Sequence, residues 1–278
     1  MIYELKEGER GCIRPLFERL RYNLVIDSVI DGNTPAWVYA DDPDEPGTAW
    51  MWNRQDAILL AGYGDDDRVN EALGALFAGK VIPDAVRRHI PDLSLHYSPQ
   101  SWQGKTDLVL RGAHPVKTAR RYYTFRQPAV DWRAQLPPSY RMERLDEAFL
   151  GNAGLQHIRP VVGWVRSFWH SIPDFVDRGF GFCLLRGDVV VSWCLSVYVS
   201  GKHYELGLAT VPDFRNRGFA TLVAAACVDL CATKHWTPHW HCWEDNLPSI
   251  VIAEKIGFDQ PTNYEVFRFP VDAERWPE

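Results

Sequence analysis

The sequence predicts an α+β fold, a mixed sheet flanked by helices, organised as two successive domains. Three observations lead there. Beyond residue 140 the hydrophobic pattern passes through several strand-like runs and then helix, strand, helix, strand. The first half combines a helix-spaced apolar stretch with short runs rich in aromatic and branched residues. Between them, Gln127 to Ser139 carries three prolines, which oppose both helix and interior strand. A chain of 278 residues suits two domains at roughly 150 residues each. The expected division is 1–135 and 136–278, the first domain the smaller.

Each element has a local reason. Leu16, Phe17, Leu20 and Leu24 fall at helical spacing within Arg14 to Leu24. Ala36 to Ala40, Ala49 to Trp52 and Ala57 to Ala61 read as short strands, the first two separated by the acidic, proline-broken loop Asp41 to Pro46. Asp65, Asp66 and Asp67 precede the periodic stretch Val69 to Phe77. Carboxylates there suit an N-cap and the positive end of a helix dipole better than a metal site. Tyr122 to Phe125 is one more strand-like run. In the second half Tyr140 to Leu145 suits a strand, and Val161 to Phe175 a helical region interrupted near Pro173. Phe180 to Leu185 and Val189 to Val199 are strands joined by Arg186-Gly187-Asp188, and Gly201-Lys202 turns into a third, His203 to Val211. Gly218 to Ala232 is a helix, Pro238 to Trp243 a strand, Pro248 to Ile256 a helix and Tyr264 to Phe269 a last strand.

Composition excludes several classes. Hydrophobic residues are 46% and charged residues 24%, which is ordinary globular usage. The net charge is −6, with 17 basic and 19 acidic residues up to Gln135 and 13 and 17 after it. Neither half offers the clustered cations of a nucleic-acid footprint. No stretch approaches 18 uninterrupted apolar residues, and the charged start Met1 to Arg10 lacks a signal-peptide core. The six cysteines lie mostly in apolar surroundings and read as reduced, buried thiols. A cytoplasmic protein without membrane or nucleic-acid partners is the expectation.

The chemistry concentrates in Thr210-Val-Pro-Asp-Phe-Arg-Asn-Arg-Gly-Phe-Ala220, which joins the third strand to the long helix. Unsatisfied N–H groups at a helix start, with the dipole, attract anions. Gly218 permits close backbone approach, and Arg215 and Arg217 add phosphate donors. The pattern is that of a pyrophosphate cradle, although a plain turn also accommodates an Arg-x-x-Gly-x-Ala string. The segment resembles the acyl-CoA-binding loop of the GNAT superfamily of N-acyltransferases, Gln/Arg-x-x-Gly-x-Gly/Ala, with Arg215, Gly218 and Ala220 at its fixed positions and Thr210 and Pro212 in its lead-in. Asn246-Leu-Pro-Ser-Ile-Val-Ile-Ala-Glu-Lys-Ile-Gly-Phe258 is similar to a second block of that superfamily. The resemblance covers Tyr140 to Phe269, and the whole is similar to a bacterial two-domain branch of antibiotic-modifying build.

The resemblance implies a GNAT fold for the second domain, with the strands His203 to Val211 and Pro238 to Trp243 splayed around acetyl-CoA or another acyl-CoA. The first domain would be a degenerate relative that walls the acceptor side, its aromatic strands carrying Trp37, Tyr39, Trp50 and Trp52. In that reading Arg215, Asn216, Arg217, Gly218, Phe219 and Ala220 hold the pyrophosphate. Main-chain groups of Leu208, Ala209 and Val211 pair with the pantetheine arm like an added strand, and Asn246 and Ser249 meet it from the other side. Asn246 also fits an Asx cap. An amine with a pKa of about 10.4 must lose a proton before it attacks. Glu205 is the first candidate base, with an ordinary salt-bridged strand glutamate as the other reading; Glu244, His203 and His241 follow. The superfamily's Tyr acid, seven residues after the Asn, is Ala253 here, so Ser249 or Tyr264 would serve. The reaction implied is acyl transfer to a primary amine, probed against the alternative of a non-catalytic acyl-CoA sensor. No metal is expected: Cys227, Cys231, His235, His239, His241 and Cys242 are close in sequence, but on a strand His239 and His241 face away from Cys242.

Overall fold

The computed structural model describes residues 1–271; residues 272–278, the end of the second expected domain, lie outside the described residues. The chain forms two compact units. One comprises Met1–Ala119 with residues 265–271, the other Arg120–Tyr264. The expected division at 135/136 therefore gives way to two crossings of the chain, at 119/120 and 264/265. The physical reason is strand pairing. In the first unit β1 (Tyr3–Glu4), β2 (Trp37–Ala40), β3 (Thr48–Trp52), β4 (Ala57–Gly62) and β5 (Asp92–Ser98) line up in order. A strand made much later completes them. Pairs run antiparallel except β4 with β5, which is parallel from Ala57↔Ser94 through Ala61↔Ser98.

The remaining strands are β6 (Val116–Phe125), β7 (Arg141–Arg144), β8 (Gly181–Arg186), β9 (Val189–Ser200), β10 (His203–Thr210), β11 (Thr237–Trp243) and β12 (Phe258–Pro270). In the second unit the order is β7-β8-β9-β10-β11-β6. Only β10 and β11 are parallel. β12 supplies its last residues, Phe267 to Pro270, to β5 of the first unit. The proline-rich stretch, which the sequence places at a boundary, lies within the second unit. Both units thus share one order and one set of directions, four antiparallel strands, a parallel neighbour and an antiparallel closing strand. Each closing strand begins or ends across the division.

Helix positions follow from apolar patterning. In the first unit Trp50, Trp52, Leu73, Phe77, Trp102 and Phe269 make one buried cluster, and the 3₁₀ segment Glu7–Leu20 contacts β3, β4 and β5. A strand such as Thr-Ala-Trp-Met-Trp is buried at every residue because both its faces are covered. Asp66 caps the helix Asp67–Leu76, its carboxylate accepting the Arg68 N–H, which is the cap the sequence predicts. In the second unit the expected helical region Val161 to Phe175 is two helices, Ile158–Phe168 and Ile172–Arg178, with Ser171 capping the second. Helix Phe219–Lys234 is apolar around most of its circumference because it lies over β8, β9 and β10 and under helix Leu247–Ile256. Gly257 ends the latter at φ 111°, and a Cβ there would stand 1.8 Å from the Gln127 carbonyl oxygen, so no other residue fits. All six cysteines are free thiols, five of them buried. No helix among the described residues is long and apolar enough to cross a membrane.

Candidate active site

The parallel pair at the centre of the second unit comes apart. β10 and β11 are in register at His203↔Thr237, Tyr204↔Pro238 and Glu205↔His239, and pairing stops there. A bulge falls between Glu205 and Leu206, where β9 carries Val197 as the extra residue. Beyond it, β10 continues to Thr210 bonded to β9 alone. The splay expected from the sequence is this gap.

Ladder alternation decides which main-chain groups face it. The Val211 N–H donates to the Val191 carbonyl at 3.0 Å, and its carbonyl accepts the Phe214 N–H at 2.9 Å. Two residues back, Ala209 pairs with Trp193 and its carbonyl also accepts the Ser192 hydroxyl. In an antiparallel ladder alternate residues turn their groups toward the partner strand, so Ala209 and Val211 are spent on β9. Leu208, between them, directs its N–H and carbonyl to the gap. This corrects the expected trio: Val211 and Ala209 lack the free donor the role requires, and Leu208 has it. Thr210 turns the same way as Leu208, and its carbonyl accepts Arg215 Nε at 3.3 Å.

The loop after β10 has the form the motif demands. Asn216 stands at φ 59° and Gly218 at φ 78°, two left-handed residues flanking Arg217. From Asn216 to Thr221 no backbone N–H finds a partner among the described residues; the first bond at the helix start is Leu222 N–H to the Gly218 carbonyl at 3.2 Å. Nothing lies within 4 Å of where a Gly218 Cβ would be. Unpaired donors under open space are what an anion's oxygens need. Arg217 donates to the Asp213 carbonyl and lies over the Phe214 ring, and Phe219 packs on Tyr140, which holds the helix start in place.

The side chains sort onto two faces. Tyr204, Trp240 and Cys242 turn toward the helices. Ser249 belongs to this side, its hydroxyl accepting Trp240 Nε1 at 3.1 Å. Asn246 caps helix Leu247–Ile256, its Oδ1 accepting the Ser249 N–H, which is the Asx alternative realised. Ala253 is fully buried in the helix interface. On the opposite face stand Glu205, His203, His239, His241, Tyr122 and Tyr264. His203 Nδ1 and His239 Nε2 are 2.9 Å apart, as are His241 Nδ1 and the Tyr264 hydroxyl. Tyr122 lies 5.0 Å from the His241 ring and 6.0 Å from that of His239. Burial, with His203 alongside, pulls His239 down to about 4, so it is neutral at pH 7. Burial and then the Glu205 charge raise Tyr122. Structure thus brings Glu205 and Tyr264 to one face and places Ser249 on the other. Glu244 lies away from both, accepting Asn263 Nδ2 at 2.9 Å. Sequence reasoning weighed His239 only as a metal ligand and Tyr122 only as part of a strand; for His239 the i, i+2 alternation with His241 was the available signal. Cys242 and the two strand histidines do face opposite ways, as the strand period requires.

This architecture is that of a splayed-sheet acyltransferase, and comparison with known proteins agrees. The family model described as GNAT acetyltransferase matches residues 14–267, and the chain belongs to that family. It is an N-acetyltransferase, and the family's co-substrate is acetyl-CoA. The chain is 22% identical over 267 residues to the uncharacterized N-acetyltransferase YdfB of Bacillus subtilis strain 168, covering 96% of this chain and 98% of that one. A crystal structure of a GCN5-related N-acetyltransferase-like protein from Streptococcus suis 89/1591 shares the fold with a TM-score of 0.67 at 21% identity, over 94% of this chain and 98% of the other. A tandem GNAT protein from the clavulanic acid biosynthesis pathway aligns over 98% of both chains with a TM-score of 0.57 at 11% identity. The match spans both units, whereas the sequence motifs reach only the second.

Proposed function

We propose that this N-acetyltransferase moves the acetyl group of acetyl-CoA onto the primary amine of a small molecule by direct attack, with Glu205 as base. One observation carries this: the β10–β11 pairing ends at Glu205 and His239, so a carboxylate stands where the gap opens and β10 leads from it to the unpaired N–H row. Asn216 to Ala220 with Arg215 and Arg217 would hold the pyrophosphate, Leu208 the pantetheine arm, and Asn246 with Ser249 its other side. When bound, acetyl-CoA supplies an activated thioester. The protonated amine gives its proton to Glu205, and the Leu208 N–H donates to the carbonyl oxygen as charge gathers there. A thiol leaving group with a pKa of about 8.5 needs little acid help, which suits a chain with buried Ala253 at the position of the usual tyrosine. Ser249, against Trp240 on the helix side of β11, and Tyr264, against His241 on its other side, are the proposed acids.

Residues 1–135 are proposed to recognise the acceptor. Trp37 supports this: its ring carries Lys80 Nζ at 4.4 Å and Arg54 at 5.0 Å, an aromatic and cationic surface on β2. Six free thiols fit a reducing, cytoplasmic setting. The test is CoA release over a panel of small amines with wild type, Glu205→Gln, Ser249→Ala and Tyr264→Phe. Turnover that collapses in Glu205→Gln supports the base role. Equal turnover in Glu205→Gln removes it, and no release with any amine would return the non-catalytic sensor alternative.

A further inference from the structure

The second unit holds a cavity of about 700 Å³ that none of the roles above uses. Its wall includes Leu155, His157, Arg159, Val162, Gly163 and Arg166. The last four recur at i, i+3, i+4 and i+7, so one face of helix Ile158–Phe168 forms the wall, while Val161 and Val165 on the other side are buried in the core. The volume suits a small molecule, for which roughly 300–1,000 Å³ is usual.

Two features point to a ligand rather than a surface dent. The first is charge. Arg159 and Arg166 make no hydrogen bond or ion pair with any described residue, and no aspartate or glutamate lines the cavity. Arg126, Arg133 and Arg178 of the same unit pair with Asp259 at 2.8 Å, Asp229 at 2.6 Å and Asp174 at 2.9 Å, whereas Arg159 and Arg166 stand together on one cavity wall with no carboxylate beside them. Two unpaired guanidinium forks beside one apolar wall match a carboxylate or phosphate attached to an apolar body. The second is Gly163. A glycine inside a helix weakens it, and here nothing lies within 4 Å of a Cβ built at that position. No packing neighbour requires the glycine, and since Gly163 lines the cavity a long side chain there would take up part of its space.

We propose that this cavity binds a small anionic molecule, its carboxylate or phosphate held by Arg159 and Arg166 and its apolar part against Leu155 and Val162. The same chemistry has two sources, the acidic end of the acceptor amine or a separate regulatory anion. The former rests on the acetyl-transfer reading, and binding by itself does not. The helix also reaches the reaction strand: Trp164, beside Gly163, packs on Trp193 at 5.9 Å and stands 3.0 Å from where a Gly207 Cβ would be. The helix that walls the cavity therefore also packs beside β10.

The experiment titrates phenyl phosphate and phenylacetate into full-length protein saturated with acetyl-CoA, by calorimetry. At least one probe should bind to wild type. Arg159→Ala/Arg166→Ala should weaken it tenfold or more, and Gly163→Leu should abolish it, with melting temperature and acetyl-CoA affinity held. Gly163→Ala, which improves the helix, separates loss of fit from loss of fold. Binding unchanged in the double arginine variant, or no binding of either probe to wild type, overturns the proposal. Where binding is found, a probe that raises KM for the amine at constant kcat marks the acceptor's acidic end, and one that changes kcat marks a regulator. Failure of acetyl transfer with every amine would leave the binding arm intact, so the two failures are distinguishable.

Discussion

Gly218 offers the sharpest separation of backbone from charge. It sits at φ 78° with open space around its missing Cβ, so Gly218→Ala meets no atom and suffers only the left-handed penalty of about 1 kcal/mol. That lowers the melting temperature by about 2–4 °C for a protein of this size. Gly218→Glu carries the same penalty and adds a carboxylate beside the N–H row of Asn216 to Thr221. A charge about 6 Å from a phosphate charge at an effective dielectric of 20 repels it by about 2.8 kcal/mol, which is about a hundredfold in Kd. Calorimetry with acetyl-CoA should therefore show both variants equally destabilised and only Gly218→Glu strongly weakened in affinity. Equal dissociation constants for the two variants would refute the cradle and the placing of the pyrophosphate over it.

Other predictions follow from different parts of the molecule. Glu205→Gln should lower kcat about a hundredfold or more while leaving the circular-dichroism spectrum and acetyl-CoA affinity as in wild type. Acetyl-CoA should bind with a stoichiometry of one per chain. In the first unit β4 and β5 stay paired through Ala61↔Ser98, and Asp66 already caps the following helix, so among the described residues the end of β4 offers neither a gap nor an uncapped helix start; calorimetry giving two sites per chain would contradict this. His239, neutral with a folded pKa of about 4 against 6.5 when unfolded, holds stability that is complete above pH 6.5 and is lost as pH falls toward 4, because the unfolded chain then binds the extra proton. The loss is at most about 3 kcal/mol, and urea denaturation should show His239→Gln with a shallower slope between pH 4.5 and 7.

Legibility in the sequence followed the range of the interactions. The elements from Tyr140 onward were readable because each is decided by local periodicity and turn residues such as Gly187 and Gly201. The loop proposed to hold the pyrophosphate stood out because Arg215, Gly218 and Ala220 fall within six residues. Ala209 and Val211 were misjudged because facing alternates along a strand, and only the registration Val211–Val191 says which phase applies. Ser249 and Tyr264 looked equivalent as hydroxyls, but the opposite faces of Trp240 and His241 on β11 separate them. The expected boundary missed because prolines report where a chain turns, whereas a unit is closed by whichever strand reaches its open edge. For β5 that strand comes from β12: Asp92 is bridged by Arg268 at 2.8 Å, 176 residues away.

That late partner imposes a schedule on synthesis. Chains emerge from the ribosome N-terminus first, and domains ordinarily fold in that order. Here the unit begun first is finished last, since β5 waits with an unpaired edge until the final strand has been translated, while β6, made early, is already at hand for β11. Nascent protein passes through a stage in which the first unit presents an open edge, the kind of surface that invites wrong partners. Cutting the gene between 135 and 136 makes the schedule impossible to complete: the first fragment lacks β12 and the second lacks β6. Neither should yield a monomeric folded product when expressed alone, and mixing or co-expressing the two should restore what each lacks.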